Sequence, residues 1–330
     1  MPRPISSART PAGARLLVVA PNWIGDALMA QPLLARLRAR RPAPRLEALA
    51  PPWVAPVLRR MPEVDEVLEA DLRHGRLQLG ERWRLGRRLR ERGYDEAYVL
   101  PNSLKSALVP FLAGIPLRVG HRGEARHGLL NRIVPRGQPG EPMAAHYARL
   151  AGEHRGAALP APRLETPANA TAARFGIAGP YVALCPGAEF GPAKRWPYFA
   201  ELAARLGGAL GEVVVLGSAS DAAAARGIPG RDLTGRTTLE EAIDLIAGAR
   251  AVVSNDSGLM HVAAATGTPQ VALFGSSSPE HTPPMSSRAR VLWLRPECSP
   301  CFRRECPLGH FRCMRELDVE RVLAELRSLP

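Results

Sequence analysis

The stretch Leu16-Leu-Val-Val-Ala-Pro-Asn-Trp-Ile-Gly-Asp-Ala27 decides the fold class of this chain. Its first five residues form a continuous apolar run, which is typical of a strand buried on both faces of a parallel sheet. Asn22 to Gly25 then predicts a turn, and the apolar spacing from Ala27 to Arg40 predicts a helix. A buried strand, a glycine-containing turn and a helix in this order indicate an α/β fold with a parallel sheet.

The same order of strand, turn and helix recurs along both halves of the chain. Tyr181 to Cys185 and Ala251 to Ser254 are two further apolar runs, each followed by a turn and a helix pattern. Between the halves, Ala157 to Pro180 is rich in Pro, Ala and Thr, as inter-domain connections often are. We therefore expect two doubly wound domains, residues 1–165 and residues 166–330, that bind ligands beyond the carboxyl ends of their strands.

Composition limits the class of protein. No apolar run among the 330 residues approaches the roughly 20 residues that a membrane-spanning helix needs. Met1 to Ala14 lacks a continuous apolar stretch, so we expect a loose extension rather than a secretory signal, and a cytoplasmic protein. The net charge of +13 suggests an anionic partner, although part of the arginine content is a general compositional bias. With only 5% aromatic residues, a phosphorylated acceptor or an anionic membrane explains the charge at least as well as nucleic acid does.

Asp26 is a candidate general base. It follows a strand and a glycine-containing turn, so its carboxylate is expected at the ligand-binding edge of the sheet. There it could take a proton from an acceptor hydroxyl, which typically accelerates a reaction by about 10²–10⁴-fold. The alternative interpretation is an aspartate that only caps the following helix.

The second apolar run leads into a predicted phosphate-binding loop, Cys185-Pro-Gly-Ala-Glu-Phe-Gly-Pro-Ala-Lys-Arg-Trp196. The turn at Gly187, Ala188 and Glu189 can present backbone N–H groups to anionic oxygens. Lys194 and Arg195 add two adjacent cations, a point charge and a bidentate fork. An ordinary basic loop is the alternative.

The third apolar run leads into Asn255-Asp-Ser-Gly-Leu-Met-His261, which opens an alanine-rich helix. The unpaired N–H groups at this start and the helix dipole favour an anion, and Gly258 allows its close approach. The alternative is a capped helix with a core histidine. Asp221 is a weaker candidate for holding ribose hydroxyls, and Thr237 either lines a base pocket or caps a helix.

Four cysteines lie close together near the carboxyl terminus. Their spacing is Cys298-x2-Cys301-x4-Cys306-x6-Cys313, with His310 between the last two, whereas Cys185 sits apart in a strand. A structural zinc is one interpretation, although the spacing matches no standard zinc pattern. Reduced thiols that pack an extended segment are the other, since cytosolic proteins rarely hold disulfides.

These stretches resemble the lipopolysaccharide heptosyltransferases of glycosyltransferase family 9. The resemblance runs from Leu16 to about Arg290 and includes the segments NWIGDALMAQPL, LPNSLKSALVPFLAGIP, CPGAEFGPAKRWP, NDSGLMHVAAA and FGSSSPEHTPP. It implies the GT-B fold, with two facing Rossmann-like domains that have parallel sheets. It also implies transfer of L-glycero-D-manno-heptose from ADP-heptose with inversion, without a tightly bound catalytic metal.

The resemblance implies roles for particular positions. Asp26 matches the catalytic base, Lys194 the lysine that contacts the donor phosphate, and Asp256 an aspartate near the donor sugar. The donor-binding positions that pattern and resemblance together predict, besides these, are Gly187, Ala188, Glu189, Arg195, Asp221, Thr237, Ser257, Gly258, Leu259 and His261.

The expected acceptor is the first heptose of the inner core, carried on heptosyl-Kdo-lipid A. The residues that charge, polarity and position predict to meet it are Asn22, Asn102, Lys105, Arg122 and Arg126. The AEFGPAKRW segment favours transfer onto heptose over the alternative, transfer onto Kdo-lipid A. A basic, metal-stapled nucleic-acid-binding protein is the alternative from another class, but it leaves the strand-end motifs unexplained. A membrane-embedded acceptor also implies loose contact with the anionic cytoplasmic face of the inner membrane.

Overall fold

Short apolar runs form the strands of two parallel sheets, one in each half of the chain. The computed structural model describes residues 13–72, 75–138, 140–152, 158–167, 171–207 and 210–330. The chain divides into two units, Met1–Pro160 and Ala161–Pro330, while the predicted boundary follows residue 165. Residues 1–12, most of the predicted extension, lie outside the described residues.

Unit 1 is built on a parallel sheet in the order β3-β2-β1-β4-β5-β6. Its strands are β1 (Arg15–Val19), β2 (Arg45–Ala50), β3 (Glu66–Glu69), β4 (Glu96–Val99), β5 (Leu117–His121) and β6 (Arg132–Val134). Its helices are α1 (Ile24–Met29), α2 (Gln31–Arg38), α3 (Ala55–Arg59), α4 (Leu79–Arg90), α5 (Leu108–Leu112) and α6 (Met143–Ala148). Since β1 pairs with both β2 and β4, the turn after Val19 opens at the middle of the carboxyl edge.

The helix predicted from Ala27 to Arg40 is in fact two helices, α1 and α2. Pro32 lies in the first turn of α2, where its missing N–H leaves no hydrogen bond unmade. The basic stretch Arg82 to Arg92 largely forms α4, which buries Leu85 and Leu89 and exposes most of its arginines.

Unit 2 repeats the arrangement in the order β12-β11-β10-β7-β8-β9, again all parallel. Its strands are β7 (Tyr181–Cys185), β8 (Glu212–Val215), β9 (Arg231–Asp232), β10 (Ala251–Asn255), β11 (Gln270–Phe274) and β12 (Ala289–Trp293). Its helices are α7 (Thr171–Arg174), α8 (Phe199–Leu206), α9 (Ala222–Ala225), α10 (Leu239–Gly248), α11 (Gly258–Thr266), α12 (Arg312–Arg315) and α13 (Val319–Arg327).

The sequence did not predict β6, β9 and β12, which are all edge strands. They are short or partly exposed, so they lack the continuous apolar run that identifies a strand buried on both faces. The final helix, α13, packs Val322 and Leu323 into the same apolar core as Leu273 of β11. No described helix is both long enough and apolar enough to span a bilayer.

Candidate active site

In unit 1, the carboxylate of Asp26 accepts a hydrogen bond from the hydroxyl of Tyr147. Asp26 lies in the first turn of α1 and is half-buried, while Tyr147 comes from α6 and is only 5% exposed. Burial, followed by the charge and hydrogen bond of Asp26, raises the pKa of Tyr147 well above its usual value, so the phenol stays protonated and donates. The N-cap of α1 is Trp23, not Asp26, so the capping interpretation of Asp26 does not hold.

A cavity of about 60 Å³ lies at the carboxyl edge of the unit 1 sheet. Two predicted acceptor residues, Asn22 and Lys105, line it together with Arg82, to which the sequence analysis assigned no role. Arg82 is 3% exposed, and burial lowers its pKa. Its guanidinium donates to the carbonyl oxygens of Leu77 at 2.6 Å and of Lys105 at 2.9 Å. These bonds hold a cation in the wall of the cavity.

Arg126 does not have the exposed position expected of an acceptor ligand. It is 1% exposed, and its guanidinium donates to the carbonyl oxygen of Pro101 at 2.6 Å and to that of His121. It also reaches the amide oxygen of Asn102 at 3.4 Å, so Arg126 ties together the loops that follow β4 and β5. Arg122, by contrast, is exposed. Charge in the sequence could not distinguish these two arginines, because burial depends on the tertiary fold.

In unit 2, the turn after β7 packs tightly against Asp221. A Cβ atom on Gly187 would lie 2.3 Å from the Asp221 Cγ, so only glycine fits there. Ala188 is buried and Glu189 is exposed. One carboxylate oxygen of Asp221 accepts from the backbone N–H of Ser218 at 2.9 Å and from its hydroxyl at 2.7 Å. Asp221 therefore completes the capping box of a short 3₁₀ helix whose N-cap is Ser218, and its role as a ribose ligand stays a prediction.

The ammonium of Lys194 lies 2.5 Å from the Oδ2 atom of Asp256. The hydroxyl of Ser277 donates to the same oxygen, also at 2.5 Å. Asp256 is 5% exposed, and Lys194 also packs over the ring of Phe190 at 4.9 Å. The structure thus brings together two predicted donor residues and adds Ser277, which lay in a quoted segment without an assigned role.

The start of α11 presents its backbone N–H groups without a side-chain cap. Ser257 holds the N-cap position, and its hydroxyl lies 3.2 Å from that of Ser254. Gly258 and Leu259 are partly exposed. His261 is 5% exposed, and burial lowers its pKa to about 4, an effect that Asp256 opposes and Lys194 reinforces. This histidine is neutral at neutral pH, so the positive charge beside Asp256 comes from Lys194.

Asn255 joins all three donor-side segments, and the sequence analysis assigned it no role. It is fully buried at the end of β10. Its amide oxygen accepts from the Trp196 N–H at 3.1 Å, and its amide nitrogen donates to the Pro186 carbonyl at 2.8 Å. One side chain thereby links three segments: the turn at Gly187, the segment from Phe190 to Trp196 that carries Lys194 (the lysine loop), and the start of α11.

Two further predicted donor residues are Arg195 and Thr237. Arg195 donates to the carbonyl oxygen of Ala188 at 3.4 Å and braces its own loop. Thr238, rather than Thr237, caps α10 by accepting from the Glu241 N–H at 3.2 Å. Thr237 precedes this cap and is partly buried.

The four clustered cysteines are free thiols around one cavity of about 60 Å³, with His310 in its wall. Burial and the three other thiols raise the pKa of Cys313 to about 11. Cys306 is also partly desolvated, but backbone N–H groups, that of Phe311 at 3.4 Å among them, lower its pKa overall. Within the described part of the chain, no group of three or more His, Cys, Asp or Glu residues could hold a metal ion. Structural zinc stays a prediction.

The cysteine-rich segment contacts the lysine loop. The carbonyl oxygen of Arg304 accepts from the Ala193 N–H at 3.0 Å, directly before Lys194. The N–H of Phe302 donates to the carbonyl oxygen of Ser276 at 2.7 Å, directly before Ser277. The sequence analysis gave the cysteine-rich segment no role in the active site. In the structure, this segment supports two loops of the candidate donor site.

The chain is similar to known proteins over most of its length. The model of the family described as glycosyltransferase family 9 (heptosyltransferase) matches residues 82–312. The chain is 45% identical to lipopolysaccharide heptosyltransferase 2 of Escherichia coli over 96% of its length and 98% of that protein. It is 42% identical to lipooligosaccharide heptosyltransferase 2 of Haemophilus influenzae, covering 95% of this chain and 99% of the other. Identity to a lipopolysaccharide heptosyltransferase 1 of Pseudomonas aeruginosa is 28%, with 96% of this chain covered and 95% of that protein.

The fold agrees as well. The structure of Escherichia coli ADP-heptose lps heptosyltransferase II superimposes with a TM-score of 0.84 at 42% identity, covering 95% of this chain and 98% of that one. The predicted α/β class of GT-B type, with a Rossmann-like parallel sheet in each unit, is confirmed.

Proposed function

The chain belongs to glycosyltransferase family 9, the heptosyltransferases. From this premise we propose which sugar it transfers and which acceptor receives it. It is a glycosyltransferase that transfers L-glycero-D-manno-heptose from ADP-heptose, with inversion, onto the first heptose of the lipopolysaccharide inner core. The observation that carries the proposal is full-length identity of 45% to a heptosyltransferase 2, against 28% to a heptosyltransferase 1. The donor-side arrangement of Lys194, Asp256 and the α11 start supports it.

The donor diphosphate binds at the carboxyl edge of the unit 2 sheet. Lys194 has three N–H bonds, and its ion pair with Asp256 uses one, so the ammonium can also donate to phosphate oxygens. The N–H groups at the start of α11 and in the turn at Gly187 supply further donors. Together they stabilise the negative charge that grows on ADP as the bond from the anomeric carbon to the phosphate oxygen breaks.

Asp26 acts as the general base in unit 1. The acceptor hydroxyl attacks the anomeric carbon from the face opposite ADP, and its proton passes to the Asp26 carboxylate. Tyr147 donates to that carboxylate and holds its orientation. Of the acceptor residues, Asn22 and Lys105 line the unit 1 cavity and Arg122 is exposed, so these three can meet the anionic groups of the acceptor.

We propose that catalysis needs no metal ion, because Lys194 and backbone N–H groups provide the positive potential at the phosphates. Structural zinc at Cys298, Cys301, Cys306 and Cys313 is a separate proposal, in which the metal would draw together four thiols that line one cavity but do not stand in a preformed metal site. Elemental analysis of the purified protein tests it. One zinc per chain that is lost in Cys306→Ser, but retained in Cys185→Ser, supports it, and metal-free protein with five titratable thiols rejects it.

The function is tested by ADP release from ADP-heptose with two acceptors, one ending in heptose and one ending in Kdo. Release with the heptose acceptor that Asp26→Ala abolishes supports both the acceptor and the base. Release only with the Kdo acceptor means that the chain acts as a heptosyltransferase 1. Release with neither acceptor rejects the proposed substrate pair.

A further inference from the structure

Unit 1 carries a group of exposed apolar side chains at the start of α4. Leu77 is 52% exposed, Leu79 is 56% exposed and Trp83 is 50% exposed. Leu79 and Trp83 are four residues apart on the helix, so they lie on the same face. Large apolar side chains that cluster on a protein surface often mark a site that binds another protein or a membrane.

The neighbouring helix α5 packs closely against α4. A Cβ atom on Gly86 would lie 2.6 Å from that of Leu112, so the two helices meet where α4 has no side chain. Arg90, one turn further along, donates to the Leu112 carbonyl at 3.0 Å. Phe111, the neighbour of Leu112, is 44% exposed and has Arg118 over its ring at 5.5 Å. We call Leu77, Leu79 and Trp83, with the exposed arginines around them, the α4 patch.

Cations surround these apolar side chains. Arg76, Arg84, Arg87 and Arg88 are all exposed, and Arg87 lies over the Trp83 ring at 5.0 Å. The acidic side chain among them, Glu81, is 3.6 Å from Arg84. Aromatic and leucine side chains that insert at the headgroup level, flanked by arginines that reach anionic headgroups, are typical of interfacial membrane binding.

The α4 patch adjoins the unit 1 cavity. Arg82, in the cavity wall, donates to the carbonyl oxygen of Leu77 in the patch. Lys105, on the same wall, donates to the carbonyl oxygen of Arg76 at 3.4 Å. A surface held against the lipid would therefore place this cavity next to the headgroups.

We propose that the α4 patch docks unit 1 onto an anionic lipid bilayer. The reason to dock there rests on the proposed function, since a lipid-anchored acceptor is reached only at the bilayer surface. The binding itself follows from the patch alone: the apolar side chains enter the interface, and the arginines bind anionic headgroups. Each signal is weak by itself, and stable attachment needs both.

Co-sedimentation with vesicles tests the docking. We expect binding to phosphatidylcholine vesicles that contain 30 mol% phosphatidylglycerol, and little binding to phosphatidylcholine alone. Two independent variants change the patch: Leu79→Ser with Trp83→Ala, and Arg84→Glu with Arg87→Glu and Arg88→Glu. Each should weaken binding by about tenfold or more, because each arginine near an anionic surface contributes about 1 kcal/mol and each buried CH₂ group contributes about 0.8 kcal/mol.

The matched control makes the same change of net charge on unit 2, with Arg226→Glu, Arg250→Glu and Arg290→Glu, all at exposed positions. It should keep most of the vesicle binding. If the control loses binding as much as the patch variant does, net charge rather than the α4 patch drives attachment and the inference is wrong. Unchanged binding by both patch variants overturns it as well.

Activity separates this inference from the proposed function. With a water-soluble, lipid-free heptose acceptor, patch variants should transfer heptose at the wild-type rate. With the acceptor embedded in vesicles, they should be at least about tenfold slower. Wild-type protein that binds anionic vesicles but transfers no heptose to either acceptor would reject the proposed function and leave the docking surface standing.

Discussion

The Lys194 ammonium and the Asp256 carboxylate form an ion pair at 2.5 Å, although 61 residues lie between them in the sequence. Lys194 belongs to the loop that follows β7, and Asp256 belongs to the segment that opens α11. Ser277, from a third loop, donates to the same carboxylate oxygen. The pair is mostly buried, with side-chain exposures of 15% and 5%. Its geometry sets where the Lys194 ammonium lies, and therefore where the proposed donor diphosphate would contact it.

Removing Lys194 should reduce both stability and activity. Lys194→Met leaves the Asp256 carboxylate buried without its cation, which typically costs about 3–5 kcal/mol of unfolding free energy. The double variant Lys194→Met with Asp256→Asn should regain most of that stability. Both should remain at least about 10²-fold slower in kcat, because neither stabilises the departing diphosphate. Urea unfolding and ADP release measure the two effects, and a double variant with wild-type kcat would contradict the assignment.

Replacing Asp26 and replacing Tyr147 should have effects of different size. Asp26→Asn removes the base and should lower kcat by about 10²–10⁴-fold. Tyr147→Phe removes one hydrogen bond, worth about 1.5–3 kcal/mol when the acceptor is charged, and should lower kcat by about ten- to a hundredfold. Steady-state kinetics with saturating donor measures both. Equal losses in the two variants would mean that Tyr147 does more than orient the carboxylate.

Asn255→Ala should loosen the donor site without touching the donor. It leaves the Trp196 N–H and the Pro186 carbonyl without their buried partner, and each such group costs about 1–3 kcal/mol. We expect a lower Tm and a higher KM for ADP-heptose, with an unchanged KM for the acceptor. Asn255→Asp keeps an acceptor for Trp196 but buries a carboxylate against the Pro186 carbonyl oxygen, so it should lower the Tm at least as much as Asn255→Ala does. An Asn255→Asp variant as stable as the wild type would contradict the assignment.

His261 should make stability depend on pH in the acidic range. Burial lowers its pKa in the folded protein to about 4, below the value of about 6.5 in the unfolded chain. Between these values the unfolded state binds more protons, so the unfolding free energy falls as the pH decreases from about 6.5 to 4, with a slope of at most about 1.4 kcal/mol per pH unit. Urea unfolding at several pH values should show a smaller slope in His261→Gln. An identical slope in that variant would assign the dependence to other groups.

Much of the donor site could be predicted from the sequence because each motif follows a strand. Apolar runs such as Tyr181–Cys185 identified the central strands, and a parallel sheet places the ends of such strands at one edge. Lys194 and Asp256 were therefore expected at that edge, and the structure pairs them.

The structure adds contacts of polar side chains that the sequence pattern did not reveal. Arg126 was predicted to meet the acceptor, and it is buried against the carbonyl oxygens of Pro101 and His121. Asp221 was predicted to hold ribose, and its carboxylate also accepts from Ser218 in the capping box of a 3₁₀ helix. An arginine or an aspartate can take several roles, and its contacts depend on the neighbours that folding supplies.

The sequence by itself determined the α/β class, the central strands and the position of the motifs at strand ends. These follow from local hydrophobic periodicity and from glycine, which are readable along the chain. Only the tertiary structure decided that Tyr147 meets Asp26, that Asn255 joins three segments and that apolar side chains of α4 remain uncovered. Hydrogen bonds and burial between residues far apart in sequence arise from packing, and no local pattern encodes them.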